Sequence, residues 1–104
     1  MRKLVVLLSS LALVCTAGTL PTFSFKCGSG NHTIYTNRTT QSINVSVAVQ
    51  VQCNCTVTAN GGAADNFVRG DQTVFTYAVV PNQTIVLNCG GTSDGVCAAT
   101  ISTP

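Results

Sequence analysis

From Ile43 to Thr58 the chain reads INVSVAVQVQCNCTVT. Its odd positions carry Ile, four Val, two Cys and Val, while its even positions carry Asn, Ser, Ala, Gln, Gln, Asn and two Thr. A period of two places one set of side chains on a core and the other in solvent, the signature of a half-buried strand. At about 3.3 Å per residue the run would extend roughly 53 Å, far beyond an ordinary strand. It therefore predicts a bend, a bulge or a corner where the chain passes from one sheet to another. Cys53 and Cys55 share the inward parity of the valines, so each is expected to find a separate partner. Asn54 between them, and Asn44 earlier in the run, fall on the outward parity.

Shorter stretches repeat this pattern between turn signals. Thr22 to Cys27 places Phe23, Phe25 and Cys27 on one face, and Gly28-Ser-Gly-Asn ends it. His32 to Asn37 is polar enough for an edge strand. Residues 59–66, ANGGAADN, read as a loop by composition. Thr73 to Val80 is β-branched and aromatic, Pro81-Asn82-Gln83 turns the chain, and Thr84 to Cys89 is expected to return as the second arm of a hairpin. After the Gly-rich segment 90–95, Val96 to Ser102 sets Cys97, Ala99 and Ile101 on one face. Six or seven strands without a helix predict an all-β fold. The expected architecture is a small antiparallel β-sandwich, Ig-like or jelly-roll-like, stapled by disulfides.

The N-terminus changes the compartment. A basic MRK, a short apolar run and small residues at Cys15 and Ala17 read as a signal peptide over residues 1–17, leaving one domain over 18–104. The apolar run is shorter than the ~20 residues of a spanning helix, and the mature chain carries no further span. The remaining 87 residues (104 − 17) are few enough for covalent staples to matter. Five cysteines remain, Cys27, Cys53, Cys55, Cys89 and Cys97, and an exported chain with that density reads as a disulfide framework. Choosing the leftover cysteine in five ways and pairing the rest in three gives fifteen patterns. Within them, Cys53 and Cys55 are expected to take different partners among Cys27, Cys89 and Cys97.

Charge removes several functions. The precursor's +2 includes Arg2 and Lys3; without them Lys26, Arg38 and Arg69 balance Asp65, Asp71 and Asp94. A net charge of zero offers no footprint for nucleic acid or an anionic membrane. Solubility must come from elsewhere, and five of the eight asparagines, Asn31, Asn37, Asn44, Asn54 and Asn82, begin N-glycosylation sequons. Glycans there would supply the missing polar layer.

The inventory is equally poor in catalytic groups, and no enzyme activity, cofactor or resident metal is expected. The single histidine, His32, lies in a polar turn region with no nucleophile motif nearby. The three aspartates sit in Gly- or Asn-rich turns where Asp serves local hydrogen bonding. Cys53, Cys55 and His32 form a conceivable soft-metal set, but CxC lacks the spacing of common zinc sites, and oxidation competes during export. Arg69-Gly70-Asp71 spells RGD and resembles integrin-binding loops, in which the carboxylate completes a metal site on a cell-surface receptor. As a local feature the same tripeptide is a solvated turn. Two functions follow: a secreted structural or self-assembling surface protein, partnered with itself through strand edges or an unpaired cysteine, or a monomeric extracellular recognition domain with an RGD-type adhesive loop.

Overall fold

The computed structural model describes residues 20–91 and 94–104; the leader, Cys15 and part of the turn after Gly91 lie outside them. Eight strands form, β1 (Thr22–Lys26), β2 (Gly30–Thr36), β3 (Ile43–Val51), β4 (Cys55–Ala59), β5 (Ala64–Phe67), β6 (Gln72–Val79), β7 (Thr84–Cys89) and β8 (Val96–Ser102). They build two four-stranded antiparallel sheets, ordered β1-β8-β3-β6 and β2-β7-β4-β5. First pairs with eighth, second with seventh, third with sixth and fourth with fifth. This nested pairing is a long hairpin rolled across two layers, the jelly-roll arrangement rather than the immunoglobulin one.

The sixteen-residue alternation breaks where a corner was required. Ile43–Val51 lies in one sheet and Cys55–Ala59 in the other. The inward parity survives the corner, with Val51, Cys53 and Cys55 buried and Gln52 and Asn54 exposed. Gln52 fixes the bend by donating its backbone N–H to Val96 O at 3.0 Å and accepting the Val96 N–H on Oε1 at 2.9 Å. A Cβ on Gly95, whose φ is +126°, would lie 2.7 Å from that Oε1, so this close approach requires glycine.

Two expectations are corrected. Thr73–Val80 and Thr84–Cys89 do not form a hairpin, because β6 and β7 belong to different sheets. The turn between them, closed by Gln83 N–H to Val80 O with Asn82 at φ +66°, is the tight turn its sequence predicts, used to change layers. Nor is ANGGAADN all loop: Ala64–Phe67 pairs with β4 from Cys55↔Phe67 to Thr58↔Ala64.

The core is made by the inward parity, including Val45, Val47, Val49, Val57, Ile85, Leu87, Ala99 and Ile101, all at most 3 % exposed. One end of the sandwich is closed by sulfur and the other by an amide. At the second end Asn37 is fully buried; its Nδ2 donates to Gln41 O and Val79 O at 2.8 Å each, and its Oδ1 accepts the Thr39 N–H at 2.9 Å and the Thr39 hydroxyl at 2.7 Å. Every hydrogen-bonding position of that amide is filled. The folded protein therefore leaves no place for a glycan at Asn37, whereas Asn31, Asn44, Asn54 and Asn82 are exposed.

Candidate functional site

Each sheet has two edges, and three of the four carry a device that discourages further pairing. β1 is five residues long and ends in Lys26. β2 is irregular between Thr33 and Tyr35, where the extra residue Ile34 turns into the core. β5 has four residues, one of them Asp65. β6 has none of these features: its eight residues, QTVFTYAV, contain no charge, no proline and no register shift, pairing with β3 without interruption from Ile43↔Val79 to Gln50↔Gln72. A long, straight, uncharged edge is a template for another strand.

The direction of its backbone groups follows from the ladder. Val51 N–H donates to Asp71 O at 3.1 Å, so in an antiparallel pair the odd residues of β6 bond to β3 and the even ones point sideways. At one end that sideways row is plugged: the Asn60 side chain donates to Ala78 O at 2.9 Å and accepts the Val80 N–H at 3.1 Å, standing in for a neighbouring strand. Asn60 holds this position from a left-handed backbone, φ 58°. Toward the other end, the N–H and C=O groups of Val74 and Thr76 meet no partner among the described residues. Val74, Phe75 and Val80 are among the few exposed large apolar side chains. Beside Val74, Ala48, Ala98 and Thr100 floor a shallow uncharged trough on the outer face of the sheet.

The inner side of β6 seals the gap between the layers. Phe75 meets Phe67 edge to face at 5.3 Å, and the Tyr77 hydroxyl donates to Asp65 Oδ2 at 2.7 Å. Burial and the Asp65 carboxylate both hold that phenol protonated, its pKa raised well above the ordinary tyrosine value. Across the molecule, the β1/β2 gap is sealed by His32 stacked on Phe25 at 3.7 Å, with Nε2 sharing a 2.8 Å hydrogen bond with Ser29 Oγ.

At the sulfur end the five cysteines among the described residues converge. Cys27 bonds Cys53, Cys55 bonds Cys97, and Cys89 is a free, fully buried thiol. Cys53 and Cys55 thus have different partners. The sulfurs of Cys55, Cys89 and Cys97 lie within 4.8 Å of one another, as do those of Cys27, Cys53 and Cys97. With four of them bridged, the cluster offers a metal one thiol rather than a ligand set. The set of Cys53, Cys55 and His32 is not assembled, since His32 is engaged with Phe25 and Ser29.

Arg69-Gly70-Asp71 is a tight turn between β5 and β6. Asp71 N–H donates to Val68 O at 2.9 Å, Gly70 takes φ +94°, and the Asp71 carboxylate accepts the Val68 N–H at 2.8 Å. Gly70 N–H also donates to Val51 O at 2.9 Å. Arg69 is exposed, and one oxygen of the Asp71 carboxylate, Oδ2, is held within the turn. The open edge was missed in the sequence because alternation marks strands without saying which one ends a sheet.

No protein-family model matches this chain, and no curated protein is similar to it in sequence. Among solved structures it is similar to a chain from work described as "Bacillus endospore appendages form a novel family of disulfide-linked pili", at 18 % identity, with 88 % of this chain and 96 % of that chain covered and a TM-score of 0.48. Nothing about this chain's activity follows from a likeness of that size.

Proposed function

We propose that this is an exported, non-enzymatic structural protein that assembles with copies of itself by pairing strand edges. The supporting observation is β6, which keeps the sideways groups of Val74 and Thr76 unpaired while the other three edges are shortened, bulged or charged. β6 against β6 would close a two-fold dimer, whereas β6 against a different edge would continue head to tail. Disulfides suit this use, since a subunit stapled across its layers keeps its edge straight while that edge is held by a neighbour. Secretion, cleavage after Ala17 and glycans on the four exposed sequon asparagines belong to the same reading, with glycans serving as the hydrophilic coat of a surface that has few charges.

The adhesive alternative has less support, because the tripeptide is a tight turn that holds Asp71 Oδ2 against its own backbone. Light scattering on the oxidised protein, beside Val74→Lys, tests assembly. Val74 is 63 % exposed, so the lysine enters without disturbing the core and places a charge at the edge. Multimers of the wild type that become monomers in Val74→Lys are expected. A wild type that stays monomeric at high concentration would remove the proposal.

A further inference from the structure

Five sulfurs packed into one end of the sandwich leave a choice of bridges. Cys89 lies directly opposite Cys55 in the β4/β7 ladder, the relation in which Cα atoms are about 4.5–5.5 Å apart, and their sulfurs lie within 4.8 Å. That Cα spacing falls within the range a disulfide spans. Cys97, the present partner of Cys55, sits 3.2 Å by sulfur from Cys53. Cys53 in turn is bonded to Cys27, the half-buried residue that follows edge strand β1. The sulfurs therefore form a continuous line from the buried thiol to the rim.

We propose that this line is a thiol relay, by which the unpaired thiol moves from Cys89 to Cys27 and makes Cys27 a reactive modification site for disulfides and other thiol-directed electrophiles. In the first step the Cys89 thiolate attacks Cys55 Sγ; the Cys55–Cys97 bond breaks as the Cys55–Cys89 bond forms, and Cys97 leaves as thiolate. In the second, Cys97 attacks Cys53 Sγ, forming Cys53–Cys97 and releasing the Cys27 thiolate, which takes up a proton. Two disulfides and one thiol are present before and after, so neither oxidant nor reductant is consumed. Attack on Cys97 instead would release Cys55, whose nearest bridged sulfur is Cys53 at 3.7 Å; the product would join two residues of one strand face.

The relay needs a proton acceptor for a thiol that has no exposed surface. Ser29 is the polar side chain that acts on the Cys89 thiol, and its hydroxyl lies 2.8 Å from His32 Nε2, so a path is open from sulfur through Ser29 to the imidazole. Burial raises the Cys89 pKa, the Ser29 hydrogen bond pulls it partly back, and no charged side chain contributes. From β4 and β8 the neighbours are Cys55 and Cys97, which do not titrate while bridged. His32 is thus the titratable group linked to Cys89, and the thiol is held in its unreactive form until it is deprotonated.

The experiment labels the folded, oxidised protein with a maleimide at neutral and mildly alkaline pH and maps thiols and bridges by peptide mass. Expected is label on Cys27 that increases with time and pH, accompanied by Cys55–Cys89 and Cys53–Cys97 bridges. Cys89→Ala, which removes the entering thiol, should lose the Cys27 label entirely while melting as a folded protein. Ser29→Ala and His32→Gln should label the same residue more slowly, with the rate profile displaced to higher pH. Label found on Cys89, absence of label with Cys27–Cys53 intact, or Cys27 label persisting in Cys89→Ala would each overturn the relay.

Discussion

β2 and β6 are the long edges of the two sheets, seven and eight residues, both rich in Thr and aromatic side chains and both free of charge. Their fates differ because β2 spends one residue on an irregularity that turns Ile34 into the core, whereas β6 keeps perfect register with β3. An edge is closed to further pairing by geometry as well as by charge. On the proposed assembly, β6 is the edge open to a neighbour and β2 the closed one.

The largest expected effect strikes the residue that holds both edges. Asn37 joins the end of β2 to Val79 of β6 through the Gln41 loop, and Asn37→Ala would leave the Thr39 N–H unpaired, take one donor from each of the Val79 and Gln41 carbonyls, and open a void where the buried amide sat. Denaturant melts should show a loss of about 3 kcal/mol or more. An unchanged midpoint would mean that water replaces the amide at no cost. Removing the Cys55–Cys97 bridge with paired alanines should cost about 2–4 kcal/mol, loosening the sulfur end without touching the Val74–Thr76 edge.

Proline distinguishes the two sides of β6. Phe75→Pro removes an N–H that points to β3 and the ring packed on Phe67, so a loss of about 3 kcal/mol is expected from thermal or chemical melts. Thr76→Pro removes an N–H that points sideways and one hydroxyl contact with Ser46, so a loss of no more than about 1 kcal/mol is expected, together with loss of assembly. Equal destabilisation by both would show that the row of free amides has been assigned to the wrong parity.

Smaller changes sharpen the edge itself. Asn60→Gly keeps the left-handed backbone but withdraws the plug from Ala78 and Val80; assembly should strengthen at a cost of about 1 kcal/mol in the monomer. Asp71→Ala should cost about 1 kcal/mol through the lost Val68 hydrogen bond and leave cell attachment unaffected. Attachment that disappears with unchanged melting would restore the adhesive reading.

How much of this was legible in the sequence depends on the length scale. Alternation located the strands, and Thr84–Cys89 and Val96–Ser102 coincide with β7 and β8. The over-long run from Ile43 required a corner, and parity placed Cys53 and Cys55 inward through it. The neighbours of each strand were not legible, because a turn such as Val80–Gln83 closes identically whether the next strand pairs with the last or crosses to the other layer. The burial of the sequon residue Asn37 was not legible for a related reason. A tripeptide signal reports local chemistry, while burial is decided by the carbonyl of Val79, 42 residues away. The short strand β5 escaped because four residues between Gly-rich turns carry too little pattern.

Amide hydrogen exchange, read residue by residue along β6 in dilute and in concentrated oxidised protein, tests the central claim most directly. The account predicts that Val74 and Thr76 N–H exchange fast in the monomer and become protected on assembly, while Phe75 and Tyr77, bonded to β3, are protected in both. Assembled protein in which Val74 and Thr76 still exchange at the monomer rate would contradict it.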